Sequence, residues 1–311
     1  MTGSVLGGNK LRKLEFSLAK AIEQNCDHIV TWGSIASNHC RTTSLLCSKL
    51  GLKCSMLQTS DQDVGEIVQK GNTFLSFMTD AKTILCPADT DFSTARKLVK
   101  QVMTKLESQG SNPYFVDRGG TQPDAIFAYI DAFEEMLQQP EFKEITDIFV
   151  TSGSGGTAFS LALAAKLSDS GIRVHGNRIW GNNEDFIKIV HKEAEAIDFK
   201  VDNFDELIKS YDEYCCGGYG LSSPEIDRLC QKSLSTTAIP LCKTYTGKTA
   251  AAMIDLMRTK PQVFKGNNVL FLHTGGVPGM FGDSSLIADV REKIDVDKSV
   301  IEIHEFLGLE E

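Results

Sequence analysis

The segments best equipped for chemistry are glycine-rich loops that follow short apolar runs. In "FVTSGSGGTAF" (149–159) a strand-like run leads through Gly153, Ser154, Gly155, Gly156 and Thr157 into an apolar helical stretch. That arrangement points backbone N–H groups and the positive end of a helix at an anion, and the two hydroxyls add donors. "LGGNKLRKLEF" (6–16) places Lys10 at the start of an amphipathic helix, with Arg12 and Lys13 beside it. Neighbouring cations and a helix N-terminus lower a lysine's pKa, leaving a free amine that can condense with a carbonyl or carry a proton. "GSIASNHCR" (33–41) sets Ser37, Asn38 and His39 where a strand turns into a helix, a geometry able to hold a carboxylate. "GGYGLSSPE" (217–225) and "CKTYTGKTA" (242–250) put Tyr219 and Tyr245 beside glycine in loops before helices, and "LHTGGVPGMFG" (272–282) ends a late strand with another glycine loop.

The anion is narrowed by what is missing. Gly153, Gly155 and Ala158 fit the relaxed dinucleotide fingerprint, which also needs an acidic residue closing the next strand to hold a ribose. The next strand, "IRVHGNRIWG" (172–181), runs instead into Asn182 and Asn183. No lysine follows the glycines, so a P-loop is excluded. A small monophosphate ligand remains.

These loops need a scaffold. Strand-like runs at 27–32, 53–58, 82–87, 113–117, 146–151, 172–181 and 268–273 alternate with helical stretches, notably 38–51, 93–110, 123–139 and 158–171. Such alternation implies βαβ units and mostly parallel sheets. The 311 residues suit two domains or one large α/β unit. The net charge of −9 disfavours nucleic acid as a partner, and no apolar run is long enough to cross a membrane as a helix. The cysteines number nine, without a CxxC pair, and read as buried thiols rather than a disulfide framework or metal site.

In order and spacing, "GGNKLRKLEF", "GSIASNHCR", "SGSGGTA", "GGYGLSSPE", "TYTGK" and "LHTGG" resemble the D-cysteine desulfhydrase and 1-aminocyclopropane-1-carboxylate deaminase family. This is the tryptophan-synthase-β-like class (fold type II) of pyridoxal phosphate enzymes. The resemblance covers essentially the whole chain and implies a two-domain α/β fold, with a smaller domain at 24–127 and a larger one from 1–23 and 128–311. It implies pyridoxal phosphate as cofactor, held covalently by Lys10, with Asn38 at its ring hydroxyl, Gly153 to Thr157 on its phosphate and Thr274 near its pyridine nitrogen. It further implies that Ser37, Asn38 and His39 take the substrate carboxylate, that Tyr219 and Tyr245 line the substrate side, and that Lys13 assists proton transfer.

Two positions favour the desulfhydrase branch. Thr246 stands where the deaminases carry a glutamate, and His39 stands where they carry a glutamine. A neutral partner for the pyridine nitrogen makes a weaker electron sink, which suffices to eliminate a good leaving group. The expected activity is therefore a carbon–sulfur lyase releasing pyruvate, ammonia and hydrogen sulfide from D-cysteine. The alternatives are the deaminase or a non-catalytic cofactor-binding homologue. "VDRGG" (116–120) departs from the family's pattern by placing Asp117 and Arg118 where small apolar residues are usual, which bears on substrate preference. Relative to the family the chain begins inside the segment preceding the lysine, so an N-terminal truncation is expected. The expected partners are a small amino-acid substrate and a second copy in a homodimer, with no nucleic acid and no membrane. The expected compartment is the cytoplasm, or the mitochondrion should a longer N-terminus exist.

Overall fold

The computed structural model describes residues 6–61, 64–69 and 71–281. The acidic run at 301–311, expected to be a terminal strand or solvated end, lies outside the described residues. Among the described residues, two four-stranded sheets form the frame, and every strand pairing within them is parallel.

The first sheet has the order β3 (Lys82–Cys86), β2 (Lys53–Thr59), β1 (His28–Ser34), β4 (Pro113–Val116). Helices α1 (Asn9–Glu23), α2 (Asn38–Leu50) and α5 (Phe92–Ser108) pack on it, and the short α3 (Val64–Ile67) and α4 (Gly71–Phe77) link β2 to β3. The second sheet has the order β7 (Lys209–Tyr211), β6 (Arg173–Arg178), β5 (Asp147–Ser152), β8 (Val269–Leu272). Around it lie α6 (Phe127–Leu137), α7 (Gly156–Leu167), α8 (Asn183–Glu195), α9 (Phe204–Leu207), α10 (Pro224–Thr237) and α11 (Thr246–Thr259).

The hydrophobic pattern explains these placements. Central strands covered on both faces carry continuous apolar runs, and all six residues of β5 are buried. Helix α7 is buried from Gly156 to Ala165, with no polar face to show solvent. Helix α1 buries an apolar stripe of Leu14, Leu18 and Ala21 against Ile29, Cys40 and Val116 of the first sheet's core, with Lys13 and Ser17 also buried, while Phe16 packs on the second core. The α1 segment thus touches both cores. We propose the boundary near residues 24 and 127 because it separates the two sheets.

Two local differences from the sequence expectations have simple causes. The helix expected over 123–139 begins as a 3₁₀ turn, Pro123–Ile126, before α6. The helix expected from 158 begins at Gly156, so the last glycine and Thr157 join its first turn.

Each sheet contains a topological switch point. β1 is flanked by β2 and β4, and β5 by β6 and β8, so the chain leaves each central strand toward one side and returns later on the other. Ligands of open α/β sheets bind in the crevice at the carboxyl ends of strands at such points. Ser37, Arg118, Gly153 and Thr274 follow β1, β4, β5 and β8 respectively.

Candidate functional site

The two crevices open onto one cavity of about 880 Å³. Lys10, Ser37, His39, Gly153, Ser154, Tyr219 and Tyr245 all line it. Asn38, Gly155, Gly156, Thr157 and Thr274 are not part of this lining. Asn38 heads α2, Gly156 and Thr157 open α7, and Thr274 lies two residues beyond β8.

Lys10 occupies the second position of α1, and its neighbour Asn9 fixes it. The Asn9 backbone N–H donates to Thr274 O at 3.0 Å, and Asn9 Nδ2 donates to Thr157 Oγ1 at 3.1 Å. The lysine is thereby tied to the loop after β8 and to the glycine loop after β5. The first tie requires close backbones. Gly8 has φ 111°, and a Cβ there would lie 2.9 Å from Thr274 O; one on Gly275 (φ 100°) would lie 2.7 Å from Gly8 Cα. Burial, then the charges of Lys13 and Arg118, lower the Lys10 amine from its ordinary 10.5 to about 7.

The glycine loop is pinned from beneath. Arg178, fully buried and facing Ser152 across the β5–β6 register, donates from Nη1 to Gly153 O at 2.7 Å and Ser152 Oγ at 3.2 Å. Its guanidinium carbon lies 4.7 Å from the Phe186 ring centroid. Holding the Gly153 carbonyl underneath leaves the loop's N–H groups for the opposite side, and adds a positive charge below it. Gly155 has φ 97°, and a Cβ there would meet the Phe186 ring at 2.7 Å. Lys13 lies at this loop too, since a Cβ on Gly156 would sit 2.8 Å from its Nζ. Burial lowers the Lys13 amine, against the attraction of Glu193; burial raises the Glu193 carboxyl to about 7.

The α2 start carries the other polar groups. Ser37 Oγ caps the helix by accepting from the N–H groups of His39 and Cys40 at 3.2 and 3.3 Å. Asn38 Oδ1 and His39 Nδ1 are buried without a hydrogen-bond partner. Buried polar atoms in a native protein are almost always satisfied, so this pair marks where a ligand's polar groups belong. His39 Nε2 lies 2.8 Å from Thr31 Oγ1. Burial, then the charges of Lys10, Lys13 and Arg118, hold the imidazole well below its ordinary value, and it is neutral.

Tyr219 and Tyr245 contact each other through their hydroxyls, and Ser34 Oγ donates to Tyr219 Oη at 3.3 Å. The Tyr219 loop is held by Lys248, a fully buried amine donating to the carbonyls of Cys215, Gly218 and Ile179 at 2.7, 2.7 and 3.3 Å. Thr246 is fully buried, and its hydroxyl accepts the Cys242 N–H at 2.8 Å. Asn9, Arg178, Lys248 and Glu193 were not singled out from the sequence. Arg178 and Lys248 act through backbone carbonyls that no spacing rule points to, whereas Asn9 stood beside a lysine already selected.

A family model described as pyridoxal-phosphate dependent enzyme matches residues 2–275. The chain belongs to this family. Pyridoxal phosphate is its cofactor, and the site suits that molecule: a lysine whose amine is lowered to about 7, the start of an anion loop, and His39 with an unsatisfied ring nitrogen line one cavity. Among curated relatives, the chain is 30% identical over 313 residues to a mitochondrial bifunctional D-cysteine desulfhydrase/1-aminocyclopropane-1-carboxylate deaminase of Arabidopsis thaliana, covering 96% of this chain and 77% of the relative. It is 32% identical over 292 residues to a Pyrococcus horikoshii protein named as a 1-aminocyclopropane-1-carboxylate deaminase, covering 92% and 86%. The solved structure of an ACC deaminase homologue superposes with a TM-score of 0.80 at 31% identity, covering 91% of this chain and 84% of that one. O-ureido-L-serine synthase, at 14% identity and a TM-score of 0.64, shares the fold. The pyridoxal phosphate enzyme is thus a fold type II α/β protein. No helix among its described residues is long and apolar enough to cross a membrane.

Proposed function

We propose that the chain is a carbon–sulfur lyase that eliminates thiol from the β-carbon of a D-amino acid, with D-cysteine as the reference substrate. The observation that carries this reading is the Lys10 amine, brought to about 7 and set in one cavity with the Gly153–Thr157 loop. The cofactor, when bound, supplies an electron-withdrawing ring joined to the substrate nitrogen, which acidifies the Cα–H bond.

The chain's residues do the rest. The N–H groups from Gly153 to Thr157, with Lys13 beside them, would hold the cofactor phosphate. Asn38 would meet the ring hydroxyl, and Thr274 and Thr246 would serve the pyridine nitrogen without supplying a negative charge. Ser37, Asn38 and His39 hold the substrate carboxylate at the α2 N-terminus, against a neutral imidazole. Lys10 takes the Cα proton, and a base poised near neutral pH is well matched to that step. Tyr219 and Tyr245 face the substrate and limit water access on that side.

The deaminase reading is favoured by the names of the archaeal relative and of the solved homologue. The neutral Thr246 favours the lyase. The test is a panel of D-cysteine, L-cysteine, D-serine and 1-aminocyclopropane-1-carboxylate with the cofactor-loaded protein. The expected result is pyruvate and sulfide from D-cysteine at a higher kcat/KM than any product from the others. Faster release of 2-oxobutyrate from the cyclopropane substrate would replace the lyase reading with the deaminase. Loaded protein that releases neither product would make the chain a cofactor-binding homologue without this activity.

A further inference from the structure

Arg118 opens the turn after β4 and projects into the cavity wall. Its guanidinium carbon lies 5.1 Å from the ring centroid of Phe92, 5.4 Å from those of Trp32 and Trp180, and 5.9 Å from that of Tyr219. These rings come from β1, from α5, and from the loops that follow β6 and β7. They attract the cation without accepting its hydrogen bonds along the fork. The adjacent acid is already engaged. Asp117 Oδ2 pairs with Arg96 at 2.5 Å, and Oδ1 accepts from Trp32 Nε1 at 3.0 Å and from the Arg118 N–H at 2.7 Å. Among the described residues no carboxylate pairs with the Arg118 guanidinium. A half-buried guanidinium, ringed by aromatic faces and without a carboxylate partner, on the wall of a ligand cavity calls for a planar anion it can grip by two donors.

That anion is not the substrate's α-carboxylate, which the α2 N-terminus receives. The cavity also runs past Lys10 between α5 and α8, along Met103 and Ile189, and its volume is near the upper end of the roughly 300–1,000 Å³ usual for ligand sites. Cysteine leaves that outer part empty. We propose that the preferred substrate is a cysteine S-conjugate whose leaving thiol bears a carboxylate, and that Arg118 binds this distal carboxylate. The proposal rests on the lyase reading and names its substrate class. In the step, the Cα–H and Cβ–S bonds break, the proton passes to the Lys10 amine, and sulfur leaves with its bonding pair as a carboxylate-bearing thiolate. Water then converts the three-carbon remainder to pyruvate and ammonium.

The probes are the D- and L-forms of S-carboxymethylcysteine and S-carbamoylmethylcysteine, which match in shape and differ in charge. They are given to the cofactor-loaded protein beside D-cysteine. The expected kcat/KM is at least tenfold higher for the carboxymethyl compound, carried by KM and shrinking with added salt. In Arg118→Met the carboxymethyl compound loses at least tenfold more than the carbamoylmethyl one. Binding is read independently of turnover, because the chain's two tryptophans both flank Arg118 and their fluorescence reports occupancy. Should Arg118→Met fail to fold, the wild-type preference and its salt dependence still decide. Equal use of both conjugates, or an equal loss on both in Arg118→Met, overturns the proposal while leaving the lyase reading in place. Loaded protein that releases pyruvate from neither the conjugates nor D-cysteine overturns both.

Discussion

The depressed Lys10 amine makes a quantitative prediction about how the cofactor-free protein captures pyridoxal phosphate. Only an unprotonated amine attacks the cofactor's aldehyde. With its pKa moved from 10.5 to about 7, roughly half of the Lys10 amines are free at neutral pH, against about 1 in 3,000 for an ordinary lysine. Between about pH 6 and 8 the free fraction, and with it the capture rate, should rise only roughly tenfold and then level off; an ordinary lysine would give ~100-fold over that span with no plateau. Rapid mixing with the cofactor, followed by its absorbance change, measures this rate. Burial is the largest cause of the shift and the charge of Lys13 the second. Lys13→Met should therefore move the midpoint to higher pH, whatever it does to the plateau through the phosphate. A wild-type rate that climbs tenfold per pH unit through pH ~9 without levelling would refute the assignment of a neutral, desolvated amine at this position.

Other consequences are open to direct measurement. Gly155→Ala places a methyl 2.7 Å from the Phe186 ring at φ 97°, where an L-residue costs about 1–2 kcal/mol before any clash, so cofactor affinity by fluorescence titration should fall at least about tenfold. Lys248→Met leaves one buried and two partly buried carbonyls without their donor and should lower the unfolding free energy by about 2 kcal/mol or more in urea melts, with Tyr219 losing its fixed position. His28, His39 and His175 are buried and held below their ordinary value, burial being the first cause in each. The unfolded chain takes up protons there that the folded chain does not, so stability of the cofactor-free protein should fall as pH drops below about 6.5, by up to ~4 kcal/mol per pH unit. Replacing His175 with glutamine should flatten that slope.

The scaffold was legible wherever one physical signal dominated. A β-branched run marked β1, short apolar runs marked β5 and β8, and the Ser37 and Gly51 signals bounded α2, with Gly51 at φ 71° as a C-terminal glycine. The short edge strand β7 has three residues and too few side chains for any pattern. The Gly153–Thr157 loop, Lys10 and Ser37 were visible because their types and positions next to a strand or helix end state a chemistry. Arg178 was not, because it reads as one residue of a strand and gains meaning only through its register partner Ser152. The ring of aromatic side chains around Arg118 draws on four separate segments; its sequence trace is that one tryptophan lies in β1 and the other just beyond β6.

Asn9 joins the loops after β5 and β8, so it acts as a latch whose release frees the reactive lysine and the phosphate cradle in one motion. Departure of the vitamin and fraying of the first turn of α1 then become a single cooperative event. Slowed hydrogen exchange at the amides of Asn9 and Lys10 should accordingly track cofactor occupancy more closely than exchange anywhere in the sheets.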